Sequence, residues 1–246
     1  MAIITVCIPA FDSEKFLMAT LDSVQNQSFK DFCVKIALEP TENCHETISI
    51  CEKYLSDKRF LLSLNSSVLG WAENIDQLLK QIDTPYFIIL PHDDIIHPDY
   101  LSLLYSGIID DGEIAVCYGD MQFFGGHGGQ KSREFDNQTL FSRLSSFYLL
   151  GAEAVPWRGV TSTKVLDAGY SFPTNKWNSL WVECEWAQLL LKCGKAVRVP
   201  KSIYFKRIFP PGRTSVSRNW FVEFDATEKI NAAAHQGLLL PPAAFL

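Results

Sequence analysis

The chain has 246 residues, 47% hydrophobic and 20% charged, a composition that fits one folded domain or two small halves around a shared core and excludes disorder. Its net charge of −6 and lack of a dense Lys/Arg run argue against nucleic acid as a partner, because neutralising phosphates needs a basic surface. No apolar run approaches the roughly 20 residues of a membrane span, and the start MAIITVCIPAFD has neither the basic flank nor the cleavage site of a secretory leader.

Residues 3–9 predict a first strand, and residues 13–27 a helix with Phe16, Leu17, Leu21 and Val24 at helical spacing. Strands at 32–38, 59–64 and 86–90 then alternate with helices at 46–55 and 71–82. A helix is expected after His97-Pro98, where proline suits the first helical position, and a fifth strand at 113–119. Strands separated by single helices imply right-handed crossovers and a mostly parallel sheet. Such sheets take ligands in the crevice outside the strand C-termini. Asp12, Glu39 and the adjacent Asp93 and Asp94 all fall at that edge.

After residue 120 the alternation breaks. Residues 121–135 read as two short strands joined by a glycine-rich turn, a mobile hairpin tip; no Gly-Lys-Ser/Thr ending makes it a phosphate loop. Residues 179–194 predict an amphipathic helix stopped at Gly194, residues 196–207 strand-like segments, and residues 219–235 a last helix. The tail GLLLPPAAFL is apolar and too short to span a bilayer, which leaves packing on the body, an oligomer contact and truncation of a longer chain all open. Without a repeat or a linker the chain reads as one compact domain with regions at 1–120, 121–215 and 216–246. Seven cysteines form no C-x-x-C pair, and Cys7 and Cys33 sit in apolar runs as small buried hydrophobes, which suits a reducing cytoplasm.

The stretch IILPHDDIIHPDY puts two carboxylates directly after a buried-looking strand. Like charges side by side call for a cation, donors or water. Zinc is one reading, since His92 and His97 flank the pair, but their spacing is not the i, i+4 pair of a zinc protease and no third His or Cys lies nearby in sequence. Hard oxygen ligands suit Mg2+ or Mn2+ better. A nicotinamide enzyme is set aside because the first turn, PAFDSE, lacks G-x-G-x-x-G.

Taken in order, ITVCIPAFDSEKFLMATLDSVQNQSFKDF, LGWAEN, YFIILPHDDIIHPDYL, GYSFP and WVECEWAQLLLKCGKAVRVPKSIYFKR resemble an inverting family 2 glycosyltransferase of the GT-A fold, over residues 1–215. The resemblance implies an α/β fold with a Rossmann-like, mostly parallel central sheet flanked by helices and a smaller acceptor-side subregion. Residues 1–120 become the nucleotide-sugar-binding half, 121–215 the acceptor-binding half, and 216–246 a C-terminal helix and tail. It implies a hexosyl-type transfer from a nucleotide-diphosphate-sugar donor to an acceptor hydroxyl, assisted by Mg2+ or Mn2+ at Asp93 and Asp94, with Pro91 in the place of the family's first acid.

Pro9, Ala10 and Phe11 then line the base pocket, Asp12 ties the turn together, and Glu39 reads the base with Leu38 where a first acid is usual. The alternative for Glu39 is a solvated strand-end acid. His92 and Asn74 fall on the donor side, and Arg207, Arg213, Thr214 and Ser215 where a loop closes over it, with Arg213 toward the diphosphate. Trp157, in AVPWRGV, is an acceptor-side stacking platform or plain core. Glu183 aligns with the catalytic base, and Glu185 is the alternative. Two residues turn a helix by about 200°, so both cannot face the cleft. Glu183 shares a stripe with Trp186, Leu189, Leu190 and Cys193, where partial desolvation favours a general base, while Glu185 reads as an exposed first-turn acid. The implied acceptor is a glycan or glycolipid of a bacterial surface polysaccharide, handled in the cytoplasm or at the inner membrane face through peripheral contact. The alternative, suggested by Leu38 and Pro91, is a catalytically impaired module on the same fold that binds a nucleotide-sugar or a partner.

Overall fold

Apolar runs become strands and helical spacings become helices through the first half: β1 (Ile4–Ala10), α1 (Leu17–Gln25), β2 (Phe32–Leu38), α2 (Cys44–Glu52), β3 (Phe60–Leu64), α3 (Trp71–Leu79) and β4 (Tyr86–Ile89). The structure is a computed structural model that describes residues 2–42, 44–126 and 128–209. β3, β2, β1 and β4 pair in parallel in that order. β1 is buried along its whole length, as a strand covered on both faces must be. α1 packs inward through Leu17, Leu21 and Val24, and α3 through Ala72, Ile75, Leu78 and Leu79.

The second half is mixed. It contains β5 (Ile95–Ile96), α4 (Tyr100–Ile108), β6 (Ile114–Gly125), β7 (Gly129–Lys131), α5 (Leu140–Leu149), a 3-10 turn at Val155–Arg158, β8 (Val160–Ser162), α6 (Lys164–Asp167), α7 (Val182–Cys193) and β9 (Lys195–Ile208). The sheet runs β3-β2-β1-β4-β8-β6-β9-β5, with β7 hairpinned onto β6. β8 is antiparallel to β4 and β6, and β5 to β9, whereas β6 and β9 run parallel. The parallel expectation therefore holds for the first four strands and yields to a mixed sheet beyond them. β6 crosses residue 120 without a break, so one sheet joins the two expected halves.

α4 begins two residues later than its proline suggests. Asp99 is the N-cap, and Pro98 stands outside the helix because His97 is still engaged with the sheet, donating its N–H to the Ile203 carbonyl at 3.1 Å. The last expected helix, the apolar tail, and Arg213, Thr214 and Ser215 lie outside the described residues. Among the described residues no helix is long and apolar enough to cross a membrane.

β9 deserves its length: fourteen residues carry it past β6 and on to β5. The register shifts between Tyr118 and Asp120, where Gly119 lets the chains meet; a Cβ there would stand 2.1 Å from the Ser202 carbonyl oxygen. On either side of this pinch Arg198 grips Asp120 with two bonds of 2.6 and 2.9 Å. The Arg198 hydrogen bonds hold the Asp120 carboxyl below its ordinary range, against the opposing effect of burial. A depressed carboxylate contributes stability that is present above its unfolded pKa, near 4, and is lost as pH falls through the folded value. Asp120→Ala is expected to cost about 2 kcal/mol at pH 7. In thermal melts the gap between variant and wild type should close as pH drops below about 4.

Candidate active site

Strand ends are laced together at the edge where the acids fall. Glu39 donates its N–H to the Ala10 carbonyl at 3.0 Å, Leu90 to Cys7 at 2.9 Å and Asn65 to Leu38 at 2.9 Å. Asp12 turns the chain out of β1 at φ 41°, a left-handed conformation that Asp tolerates better than most residues. Glu39 is fully buried, which overturns the solvated alternative. Its Oε1 accepts the Gly70 N–H at 2.9 Å, at the start of α3, where the helix dipole favours a carboxylate. Leu38 beside it is core. Pro9 and Ala10 are buried and Phe11 is half-buried, so Phe11 is the member of the expected base pocket with surface to offer.

Asn74 corrects the donor-side expectation. It is buried on α3, its Nδ2 donates to the Ala37 carbonyl and its Oδ1 accepts from Asn65, each at 3.0 Å. Its amide thus ties the end of β2 to the turn after β3.

The acid turn follows β4. Thr20, on α1, holds it from below by sharing its hydroxyl between the His92 and Asp94 carbonyls, each at 2.8 Å. His92 is buried with Nδ1 3.1 Å from the Pro9 carbonyl; the Nδ1–H tautomer satisfies that contact and leaves Nε2 buried without a partner among the described residues. His97 faces elsewhere, accepting the Asp99 N–H at 3.3 Å.

The two aspartates differ. Asp93 is half-buried, and Asp94 is 2% exposed. Asp94 Oδ2 accepts the Tyr204 hydroxyl at 2.7 Å, its Oδ1 accepts the Arg207 backbone N–H at 2.8 Å, and Arg158 Nε stands 3.6 Å from Oδ2. Burial, then the neighbouring Asp93 charge, push the Asp94 carboxyl up to about 6, against the pull of Arg158 and the two donors. Pairing of β5 with β9 brings these donors in, Ile95 opposite Phe205 and Ile96 opposite Tyr204. Arg207 also donates Nε to the Asp93 carbonyl at 3.1 Å, while its guanidinium lies between the rings of Phe16 and Phe124, 4.6 and 4.5 Å from their centroids. Among the described residues no group of three or more His, Cys, Asp and Glu forms a metal cluster.

From the other half come Arg158 and Glu183. The Tyr100 hydroxyl donates to the Arg158 carbonyl at 3.1 Å, and Gly159 packs so closely on β6 that a Cβ would stand 2.2 Å from the Cys117 oxygen. The Arg158 guanidinium is buried over the rings of Trp157 and Tyr204, 4.6 and 5.4 Å from their centroids. Asp94 and Glu183 both lie within its electrostatic reach. Lys206, two residues beyond Tyr204 and on the same face of β9, completes the group. Repulsion from Arg158, then burial, push its ammonium down to about 8, with Asp94, Glu183 and Asp93 opposing.

Glu183 and the acid turn therefore both act electrostatically on Arg158 and Lys206. Glu185 is half-buried rather than exposed, and burial raises its carboxyl, with Lys192 opposing. Trp157 is 5% exposed and sits in an aromatic cluster with Trp71 and Phe172, so no open stacking face is presented. Arg158, Tyr204, Lys206 and Thr20 escaped the sequence reading. Only Tyr204 and Lys206 carried a signal, the i, i+2 alternation of SIYFKR.

Residues 5–158 match the family model for glycosyl transferase family 2. An uncharacterized glycosyltransferase of Methanocaldococcus jannaschii is 25% identical over 137 residues, 56% of this chain and 47% of that one. Glycosyltransferase GlyA of Streptococcus pneumoniae serotype 4 is 25% identical over 114 residues, 46% of this chain and 16% of that one. The chain thus spans about half the length of the first relative and a small part of the second. Among solved structures, S. aureus TarS 1–349 in complex with UDP-GlcNAc superposes with a TM-score of 0.70 at 19% identity, covering 97% of this chain and 67% of that one. The mannosyltransferase PcManGT from Pyrobaculum calidifontis, in complex with GDP-Man and Mn2+, gives 0.60 at 11% identity, covering 96% and 68%. What is shared at such identities is the GT-A fold.

Tyr204→Phe tests the clasp on Asp94. The ring, and its edge contact with Tyr100 at 5.9 Å, survive while one donor to a buried carboxylate is lost. The variant should lose about 1–3 kcal/mol, read in urea unfolding as a lower midpoint at unchanged slope.

Proposed function

From a chain that belongs to glycosyl transferase family 2, we propose an inverting, metal-assisted transfer of a sugar from a nucleotide-diphosphate donor to an acceptor hydroxyl. The observation that supports it best is the meeting of Glu183 with Asp93 and Asp94 around Arg158 and Lys206. On this reading a proton acceptor comes from one half of the chain and a cation-holding Asp93, backed by Asp94, from the other.

Glu183 takes the acceptor hydroxyl proton as the oxygen bonds to C1 of the sugar. The C1–O bond to the diphosphate breaks on the opposite face, and its electron pair leaves with the phosphate. A single displacement of this kind inverts the anomeric centre. Lys206 offers fixed positive charge where negative charge develops. Phe11 and Glu39 serve the base and His92 the donor wall; Arg213, outside the described residues, is assigned to the diphosphate. Glu185 is the weaker candidate for the base, because Glu183 is the one near both cations.

The acids fit Mg2+ or Mn2+. Such ions are held by one or two carboxylates together with substrate phosphates and water, and Asp93 offers a half-exposed carboxylate of that kind. Asp94, buried and engaged through both oxygens, fixes the turn behind it and adds its charge. When bound, the ion supplies Lewis-acid charge to the leaving diphosphate.

The acceptor is assigned as a glycan or glycolipid, reached from the cytoplasm or at the inner membrane face. UDP-GlcNAc and GDP-Man in the structural neighbours set the first members of a donor panel. Nucleotide release should be followed for UDP-, GDP- and dTDP-sugars with Mn2+. Glu183→Gln is expected to lower kcat by about 10²–10⁴-fold, and Asp93→Ala or chelation of the metal should also slow release strongly. Undiminished release in both variants defeats the assignment. Donor binding without any release favours the non-catalytic module.

A further inference from the structure

We infer that Arg158 is a positioning residue: its guanidinium is the shared counter-charge that sets the distance between the base on α7 and the acid turn after β4. The inference rests on the functional reading above, and it concerns a residue to which that reading gives no role.

Arg158 is costly where it stands. It is 7% exposed, and its Nε has no hydrogen-bond partner among the described residues, only the Asp94 oxygen at 3.6 Å. A buried ion pair of imperfect geometry is weak evidence for stability, because desolvation offsets the attraction. Yet the side chain is held from several sides. Trp157 and Tyr204 present ring faces to the guanidinium, Tyr100 bonds the backbone carbonyl, and Gly159 locks the next residue against β6.

Two acids from different halves face this fixed cation. Asp94 is anchored by Thr20, Tyr204 and Arg207. Glu183 is anchored differently, because α7 is entered through Asn178, Ser179 and Trp181, three non-glycine residues at φ of 52°, 56° and 65°. Left-handed backbone of this kind persists only where its surroundings hold it. α7 packs on the 3-10 turn that carries Arg158, and Glu183 lies in the first turn of the helix, where its charge acts on the guanidinium. Lys206 faces the same acids from β9 but carries no ring or backbone clamp of this sort among the described contacts.

The variant Arg158→Lys keeps the charge and loses the planar fork; Arg158→Met removes both. Positioning errors near 1 Å cost about 10²-fold in rate. Arg158→Lys should lower kcat about tenfold or more, while leaving donor KM within about twofold, since uniform binding is untouched. If Arg158 acts through Glu183, Arg158→Lys combined with Glu183→Gln should be no slower than Glu183→Gln alone. Crystal structures of both variants should show the Glu183 and Asp94 carboxyls farther apart than in the wild type. Wild-type kcat in Arg158→Lys, or losses that multiply in the double variant, overturns the inference. Absence of nucleotide release by the wild type defeats the functional reading instead, and the carboxyl separation then decides the role of Arg158: an unchanged separation in both variants overturns it.

Discussion

A carboxylate almost wholly removed from water has to find donors inside the protein, and Asp94 is such a carboxylate. Its needs explain much of the second half of the chain. Tyr204 and the Arg207 N–H can reach it only if β9 runs beyond β6 to pair with β5. That reach in turn needs the close approach of β9 to β6 at Gly119, which the Arg198–Asp120 grip secures. Arg158 can reach it only because the 3-10 turn is pressed onto β6 through Gly159. One buried charge thus ties the acid turn of the first half to the last strand and to the turn before β8.

The same site holds two like-charge pairs, Asp93 beside Asp94 and Arg158 beside Lys206. Each displaces a partner toward neutrality: Asp93, after burial, raises Asp94, and Arg158 lowers Lys206. Neither pair is relieved by the other completely, since burial weakens the screening that would make the arrangement indifferent. A cation relieves the first pair and an anion the second. This complementarity belongs to the arrangement of the side chains and not to net charge, which is negative for the chain as a whole.

Much of the first half was legible in the sequence. Its strands are unbroken apolar runs, its helices have clear inner faces, and each acid that ends a strand sits at a visible change from apolar to polar. Glu39, Asp93 and Asp94 were found for that reason. The solvent state of these acids was not legible: whether Glu39 is solvated depends on Gly70, and whether Asp94 is buried depends on Tyr204, 110 residues away. The partners of Asn74 and the choice between core and platform for Trp157 were not legible either, because a polar or aromatic side chain looks alike in sequence whether its partners are protein or ligand. α5 escaped because it rests on a Thr139–Ser142 capping box in a serine-rich stretch, and β8 because three residues carry no period.

The span matched by the family model, residues 5–158, contains Glu39, Asp93, Asp94 and Arg158, while Glu183, Tyr204 and Lys206 lie beyond it. The family match therefore bears on the first part of the chain and leaves the remaining site residues to be argued from geometry. The geometry couples the two. Tyr204 and the Arg207 N–H hold the buried Asp94 carboxylate, so β9 is part of the electrostatics of the acid turn although it follows α7 in the chain. Alternation along β9 then separates its positions by consequence: changes at Tyr204 and Lys206 bear on the charged group around Asp94, whereas Ile203 and Phe205 fall on the opposite face of the strand.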